Sequence, residues 1–145
     1  MTLLDTETGM VVPSPRPVSL KNKSIEVIRQ LNPQATFGPV ARDTMKGTVA
    51  HMRPPSLSVQ RAAERALPAW VVFPKYVADA PSRLIPREKA QSFMQLAENS
   101  FNQNVLGKAG FDALSDLIAR SDCYDFSYGN LHEAIDIFAS LPLPQ

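Results

Sequence analysis

One cysteine, Cys123, stands in a chain of 145 residues. An internal disulfide is therefore excluded, and the chain suits a reducing cytoplasm. Histidine is almost as scarce: His51 and His132 are the only two. No Cys-x-x-Cys or His-Glu-x-x-His spacing occurs, so a zinc-type site has no ligand set. The densest apolar run, Ala69–Phe73, is far shorter than the roughly 20 residues that cross a bilayer. The first residues, Met1-Thr-Leu-Leu-Asp5, lack the basic stretch of a secretion signal. Glycine is limited to six positions and never forms Gly-x-Gly-x-x-Gly. Gly107-Lys108 lacks the rest of the Walker pattern, because Asn102 stands where the first glycine belongs and Ala109 where Ser or Thr belongs. The residues therefore contain no recognisable phosphate cradle.

What is present supports a core. Hydrophobic residues make up 44% of the chain, which argues against disorder and fits a single domain over 1–145. Charge is unevenly spread. Between Ser14 and Arg61 stand Arg16, Lys21, Lys23, Arg29, Arg42, Lys46, Arg53 and Arg61, against only Glu26 and Asp43. From Ala66 onward acidic residues outnumber basic ones. The front half has the better claim to an anionic partner. Nucleic acid is not expected, since no Arg-rich run, RNP motif or zinc knuckle accompanies that charge.

Within the basic half, Lys46-Gly-Thr-Val-Ala-His-Met-Arg-Pro-Pro55 is the densest cluster of donors. Lys46, His51 and Arg53 can each donate to an anionic oxygen, and Gly47 lets backbone approach a ligand. A phosphate wall and an ordinary basic loop both fit these residues.

The element pattern is mixed. Apolar pairs flank Thr6-Glu7-Thr8-Gly9, which predicts a hairpin with Gly9 at positive φ. Pro13, Pro15 and Pro17 force an extended crossing. Asn22 or Ser24 caps a short helix carrying Ile25, Ile28 and Leu31, ended by Asn32-Pro33. Gln34 to Thr44 reads as irregular, Thr48–Met52 as a strand with Val49 and His51 on one face, and Ser56–Arg65 as a short helix or loop. Ala69–Phe73 reads as a fully buried central strand that Pro74 ends. Pro86 opens a helix with Ala90, Phe93, Met94, Ala97 and Phe101 on its apolar side. A second helix spans Lys108–Arg120, with Phe111, Leu114, Leu117 and Ile118 inward. Cys123–Tyr128 alternates as a half-buried strand with Tyr124, Phe126 and Tyr128 on one side. Asn130 and Glu133 form a capping box for a last helix carrying Leu131, Ala134, Ile135 and Phe138. Cys123 reads as a buried small side chain, and His132 as a solvated residue.

Several segments recur in a familiar order: Pro15-Arg-Pro-Val-Ser-Leu-Lys-Asn-Lys-Ser-Ile25, Thr44-Met-Lys-Gly-Thr-Val-Ala-His51, Val72-Phe-Pro-Lys-Tyr76, Asn99-Ser-Phe-Asn102 and Cys123-Tyr124. Together they resemble the group called HprK-related kinase A, within the HPr kinase/phosphorylase family. The resemblance runs from about Leu3 to about Phe138. It implies an α/β or α+β chain, part of the P-loop kinase fold shared with phosphoenolpyruvate carboxykinase. In that family a P-loop and an acidic strand-end segment lie upstream of the region matching Leu3-Leu4-Asp5. The resemblance thus implies the C-terminal half of an ATP- and Mg2+-dependent serine protein kinase, partnered by a P-loop-bearing half and a protein substrate. Asp5 does not correspond to the family's catalytic acid.

On that footing Lys46 and His51 are the catalytic candidates. Lys21, Arg16 and Arg53 are the phosphate- or substrate-binding candidates. No metal ligand is assigned. Plainer readings stand beside them: Lys46 as a turn lysine, His51 as a strand residue bonded to backbone, Lys21 as the residue before a cap. Arg16 would be a surface residue between prolines, and Asn99–Asn102 a brace for a helix end. A different class of function also fits, a non-catalytic interaction module that self-associates through exposed strand edges.

Overall fold

The computed structural model describes residues 2–142. Among these the chain is mixed α/β, with three small sheets and six helices. Its internal contacts divide it into two compact units: residues 2–3 with 12–65, and residues 4–11 with 66–142.

The first short sheet pairs β1 (Leu3–Leu4) with β2 (Val11–Val12). Between them, the Asp5 carboxylate accepts from the backbone N–H of Glu7 (3.0 Å) and Thr8 (3.1 Å). Gly9 takes φ 66°, as the hairpin reading expects. That conformation favours glycine because it has no Cβ to clash.

The first unit is built on a sheet of order β3-β5-β4: β3 (Val18–Lys21), β5 (Gly47–Met52) and β4 (Ala41–Thr44). Both pairings are antiparallel, with Leu20 opposite Ala50 and Ser19 opposite His51. Helix α1 (Lys23–Leu31) follows β3 and buries Ile25, while Ala50 is fully buried on β5. The pleat puts Val18, Leu20, Ala50 and Met52 on this inner face. Helix α2 (Ser56–Gln60) is short.

Two strands here depart from the sequence reading. Val18–Lys21 follows the proline crossing directly and is a strand. Ala41–Thr44, read as irregular, pairs with β5 despite being exposed throughout, because an irregular register with Asp43 at φ 54° carries it across.

The second unit holds a sheet of order β6-β8-β7: β6 (Trp70–Tyr76), β8 (Asp122–Tyr128) and β7 (Arg83–Pro86). β6 runs parallel to β8 and β7 antiparallel to it. The central strand is therefore β8, and Ala69–Phe73 belongs to an edge strand whose apolar residues are half-buried. Pro74 does not end it. Proline is tolerated on an edge where its missing N–H would face outward.

Pro86 closes β7, and α3 (Lys89–Glu98) starts three residues later. The α3 face also differs from the periodicity. Ser92 is fully buried, its hydroxyl donating to the Glu88 carbonyl, whereas Met94 is 61% exposed and Phe101 lies beyond the helix. Helices α4 (Gln103–Leu106) and α5 (Lys108–Arg120) meet at Gly107, φ 53°. α5 buries Leu114 and Ile118 as expected, but leaves Phe111 half-exposed, edge-on to Phe93 at 5.1 Å. Lys89 donates to the carbonyls of Ile118 (2.9 Å) and Ser121, a cation at the α5 C-terminus.

Helix α6 (Leu131–Ser140) lies against β8, with Phe138 4.9 Å from Phe126. Asn130 caps it by accepting from His132 N–H at 2.8 Å. The expected box is not closed, because the Glu133 carboxylate accepts instead from the Ser82 hydroxyl at 2.8 Å. Cys123 is buried and unpaired, and His132 is exposed, both as expected. No helix among the described residues is long and apolar enough to cross a membrane.

Candidate functional site

The five predicted site residues all fall in the first unit, on or beside one sheet. The pleat turns Ser19 and Lys21 of β3 and Val49 and His51 of β5 to the face opposite Ala50. Lys21 sits opposite Val49, so His51 is its diagonal neighbour, about 7–8 Å away between Cα atoms. Both side chains are exposed. Lys46 stands in the turn between β4 and β5, at the end of the sheet where β3 finishes. Its backbone N–H donates to the Thr44 hydroxyl at 3.1 Å, and that hydroxyl donates to the Gly47 carbonyl at 2.6 Å.

Asn22 ties this end together. It takes φ 49° and ψ −128°, a positive-φ conformation that glycine favours and that its bonds to Thr48 hold here. Its backbone N–H donates to the Thr48 carbonyl at 2.9 Å, and its side-chain oxygen accepts from the Thr48 N–H at 3.0 Å. Gly47, at φ 79°, lies directly under that side chain, and any Cβ there would strike it. Ser24 accepts from Lys21 N–H (2.9 Å) and donates to Lys21 C=O (2.6 Å). Neither Asn22 nor Ser24 caps α1 by a side-chain bond to the helix; both are used to hold Lys21 and the start of β5. The sequence reading takes Asn22 or Ser24 for the helix cap; Asn22 does stand at the N-cap position, but without a side-chain bond to the helix. The missed signal was the pairing of an Asn before a helix with a distant glycine, which only the fold brings together.

Arg16 and Arg53 lie at the other end. Arg16 precedes β3, whose first residue Val18 pairs with Met52, and Arg53 follows Met52. Arg53 N–H donates to Thr36 C=O at 2.8 Å, fixing the chain where it leaves the sheet. The length of β5 separates the two ends by roughly 20 Å. Lys21, opposite Val49, stands between Lys46 and His51 and can share an anionic group with either; Lys46 and His51 are themselves five residues, roughly 17 Å, apart along the strand, and Arg53 lies beyond His51. None of the five side chains has a hydrogen bond or ion pair among the described residues, whereas Arg61 is held by Glu64 at 2.6 Å and Arg29 stacks on Phe37 at 4.9 Å.

The second unit holds a different kind of site. An open cleft of about 510 Å3 is lined by Phe73, Pro74, Lys75, Gln95, Asn99 and Asp125. Here Arg87 bonds Asp125 at 2.5 Å and lies over the Phe73 ring at 4.6 Å. Asn99 donates to the Gln95 carbonyl at 2.8 Å, and Ser100 to Leu96 at 2.8 Å, so these residues brace the end of α3. The segments Val72–Tyr76 and Asn99–Asn102, quoted above for the resemblance, meet in this cleft through Phe73, Pro74, Lys75 and Asn99.

Among the described residues no three His, Cys, Asp or Glu side chains gather to hold a cation. The sheet face offers donors to an anion and no carboxylate set for Mg2+. Comparison of the chain with protein-family models, curated proteins and solved structures finds no match.

Proposed function

We propose that this chain is the substrate-side half of an HPr-kinase-related, ATP-dependent serine protein kinase, with part of its P-loop kinase fold, acting in a bacterial cytoplasm. One observation supports the reading: Lys21 and His51 share an open, unpaired face of one sheet, with Lys46 at its near end.

Phosphoryl transfer needs little covalent chemistry from the protein and much positioned positive charge. Lys21 and Lys46 would face the phosphate oxygens as point charges. His51 would donate to a phosphate oxygen or move a proton at the acceptor hydroxyl. Arg16 and Arg53, at the far end of the sheet, would hold another phosphate or the protein substrate. ATP with Mg2+, when bound, supplies the phosphoryl group and neutralises its charge. The cradle for it would come from a P-loop-bearing half.

Calorimetry with Mg-ATP tests this. The chain alone should bind with a Kd of about 1 mM or weaker. Adding a half that carries the Walker motif should restore binding, and Lys46→Ala should then weaken it by about tenfold or more, the loss of one charge-assisted contact. Tight, Lys46-dependent ATP binding by the chain alone would defeat the idea of half a site.

A second reading, a non-catalytic interaction module that self-associates, is favoured by exposed apolar residues of the second unit. Phe101 is 89% exposed, Val105 85%, Tyr76 64% and Met94 61%. Exposed apolar residues, where they adjoin, mark contact surfaces. A monodisperse monomer in sedimentation would count against it.

A further inference from the structure

The outer edge of β6 is an open strand template. Asp122 N–H donates to Ala69 C=O at 3.0 Å, and Val77 N–H donates to Tyr128 C=O at 2.9 Å. The parallel ladder with β8 therefore uses the odd-numbered residues of this segment. Alternate residues of a strand turn their backbone groups to opposite edges. Trp70, Val72, Pro74 and Tyr76 thus point theirs outward, and no backbone hydrogen bond among the described residues reaches them. Pro74, which has no N–H, occupies one of these outward positions.

Beside this edge lies an apolar groove of about 240 Å3. Val72 and Pro74 of β6, Phe126 and Tyr128 of β8, and Ile135 and Phe138 of α6 line it, and none of its lining residues is charged. Tyr76 is 64% exposed, Ile135 48% and Phe138 37%. A row of backbone donors and acceptors next to an apolar groove fits an added strand whose alternate side chains are apolar.

We infer that β6 pairs antiparallel with β6 of a second copy of this chain, about a two-fold axis through Phe73. β6 meets its own requirements in that register. Trp70 falls opposite Tyr76 of the second copy, and the two exchange both hydrogen bonds. Val72 donates to Pro74 C=O of the second copy, so only the donor that proline lacks is lost. The side chains set beside each groove, Val72 and Pro74 of the second copy, are uncharged. On the other face Lys75 meets Val71, so no like charges oppose each other, as they would in a register centred on Lys75. The seven-residue strand supplies about 24 Å of edge. The inference rests on the interaction-module reading and names its surface; it is independent of the kinase reading.

The register makes a sharp test. Residues at the centre of the pair form a non-hydrogen-bonded site with Cα atoms about 4.5 Å apart, within disulfide reach. In a Cys123→Ala background, Phe73→Cys should convert most of the chain to a covalent dimer under oxidised glutathione, while Lys75→Cys should not. Without oxidant, the unsubstituted chain should sediment at twice the chain mass. Val72→Pro, which deletes an outward N–H, should sediment as a monomer. If Val72→Pro fails to fold by circular dichroism, Ile135→Glu in the groove should give the same monomer. A dimer that Phe73→Cys does not cross-link, or one cross-linked by Lys75→Cys alone, overturns this register and leaves self-association standing. A monomer throughout overturns both.

Discussion

The two units differ in where their partnered cations sit: in the first they lie off the open sheet face, at Arg61 and Arg29, and in the second they brace the sheet and helices. In the second, several cations are tied down: Arg87 is bonded to Asp125 and laid over Phe73, Lys89 is spent on the end of α5, and Lys108 pairs with Asp112 at 2.5 Å, while Lys75 and Arg83 make no such bond among the described residues. Helices lie against both faces of its sheet, with α6 on the Phe126 side and α3 on the Asp125 side. In the first, Ile25 and Ala50 are buried on one side of the sheet, and the opposite face is left open with Lys21 and His51 unpaired. Charge that is already neutralised holds a fold together. Charge left unpaired on a face held by Asn22 and Gly47 is what an anionic ligand can use.

The largest test of the contrast is Phe126→Ala. Phe126 is 2% exposed at the centre of β8, so truncation should cost about 3–5 kcal/mol. Trp70 is the one tryptophan and lies in the same sheet, so denaturant unfolding followed by its fluorescence reads the loss directly. A shift under about 1 kcal/mol would mean that β8 is not the core strand.

Gly47→Ala strikes the other unit. A positive φ and a Cβ against Asn22 should together cost about 1–3 kcal/mol. Faster amide exchange at Ala50 should report it. If the Trp70 transition shifted equally, the units would unfold as one and the contrast would lose its meaning.

Asn22→Ala is milder, about 0.5–1.5 kcal/mol for one lost bond to Thr48 N–H. It should also loosen Lys46 and so weaken phosphate binding, which a purely structural asparagine at the helix start would not do. Lys21→Ala comes last, with stability changed by less than about 0.5 kcal/mol because the side chain is exposed and unpaired. A larger loss would make Lys21 a structural residue and remove it from the site.

Local pattern made much of the fold legible. Alternation revealed β8 and β5, Gly9 marked the hairpin between β1 and β2, and Asn130 the start of α6. The order of strands was not legible. Ala69–Phe73 is apolar enough for a central strand, and only pairing reveals it as an edge; Pro74 was the clue, since its missing N–H suits an outward position. Val18–Lys21 and Ala41–Thr44 are too short and too exposed to stand out, because their stability comes from β5 between them. For the site, Lys21, Lys46 and His51 were visible as residue types. Where each falls along the sheet depends on register, and the role of Asn22 on a contact 26 residues away.

The most direct measurement is an amide-resolved NMR titration of the chain with inorganic triphosphate. Shifts confined to Lys21–Ser24, Lys46–Val49 and His51, weak and abolished in a Lys21→Ala/Lys46→Ala variant, are the expected result. Shifts centred on the Lys75–Asn99 cleft, or binding unchanged in that variant, would contradict the claim that this open sheet face is half of a phosphate site.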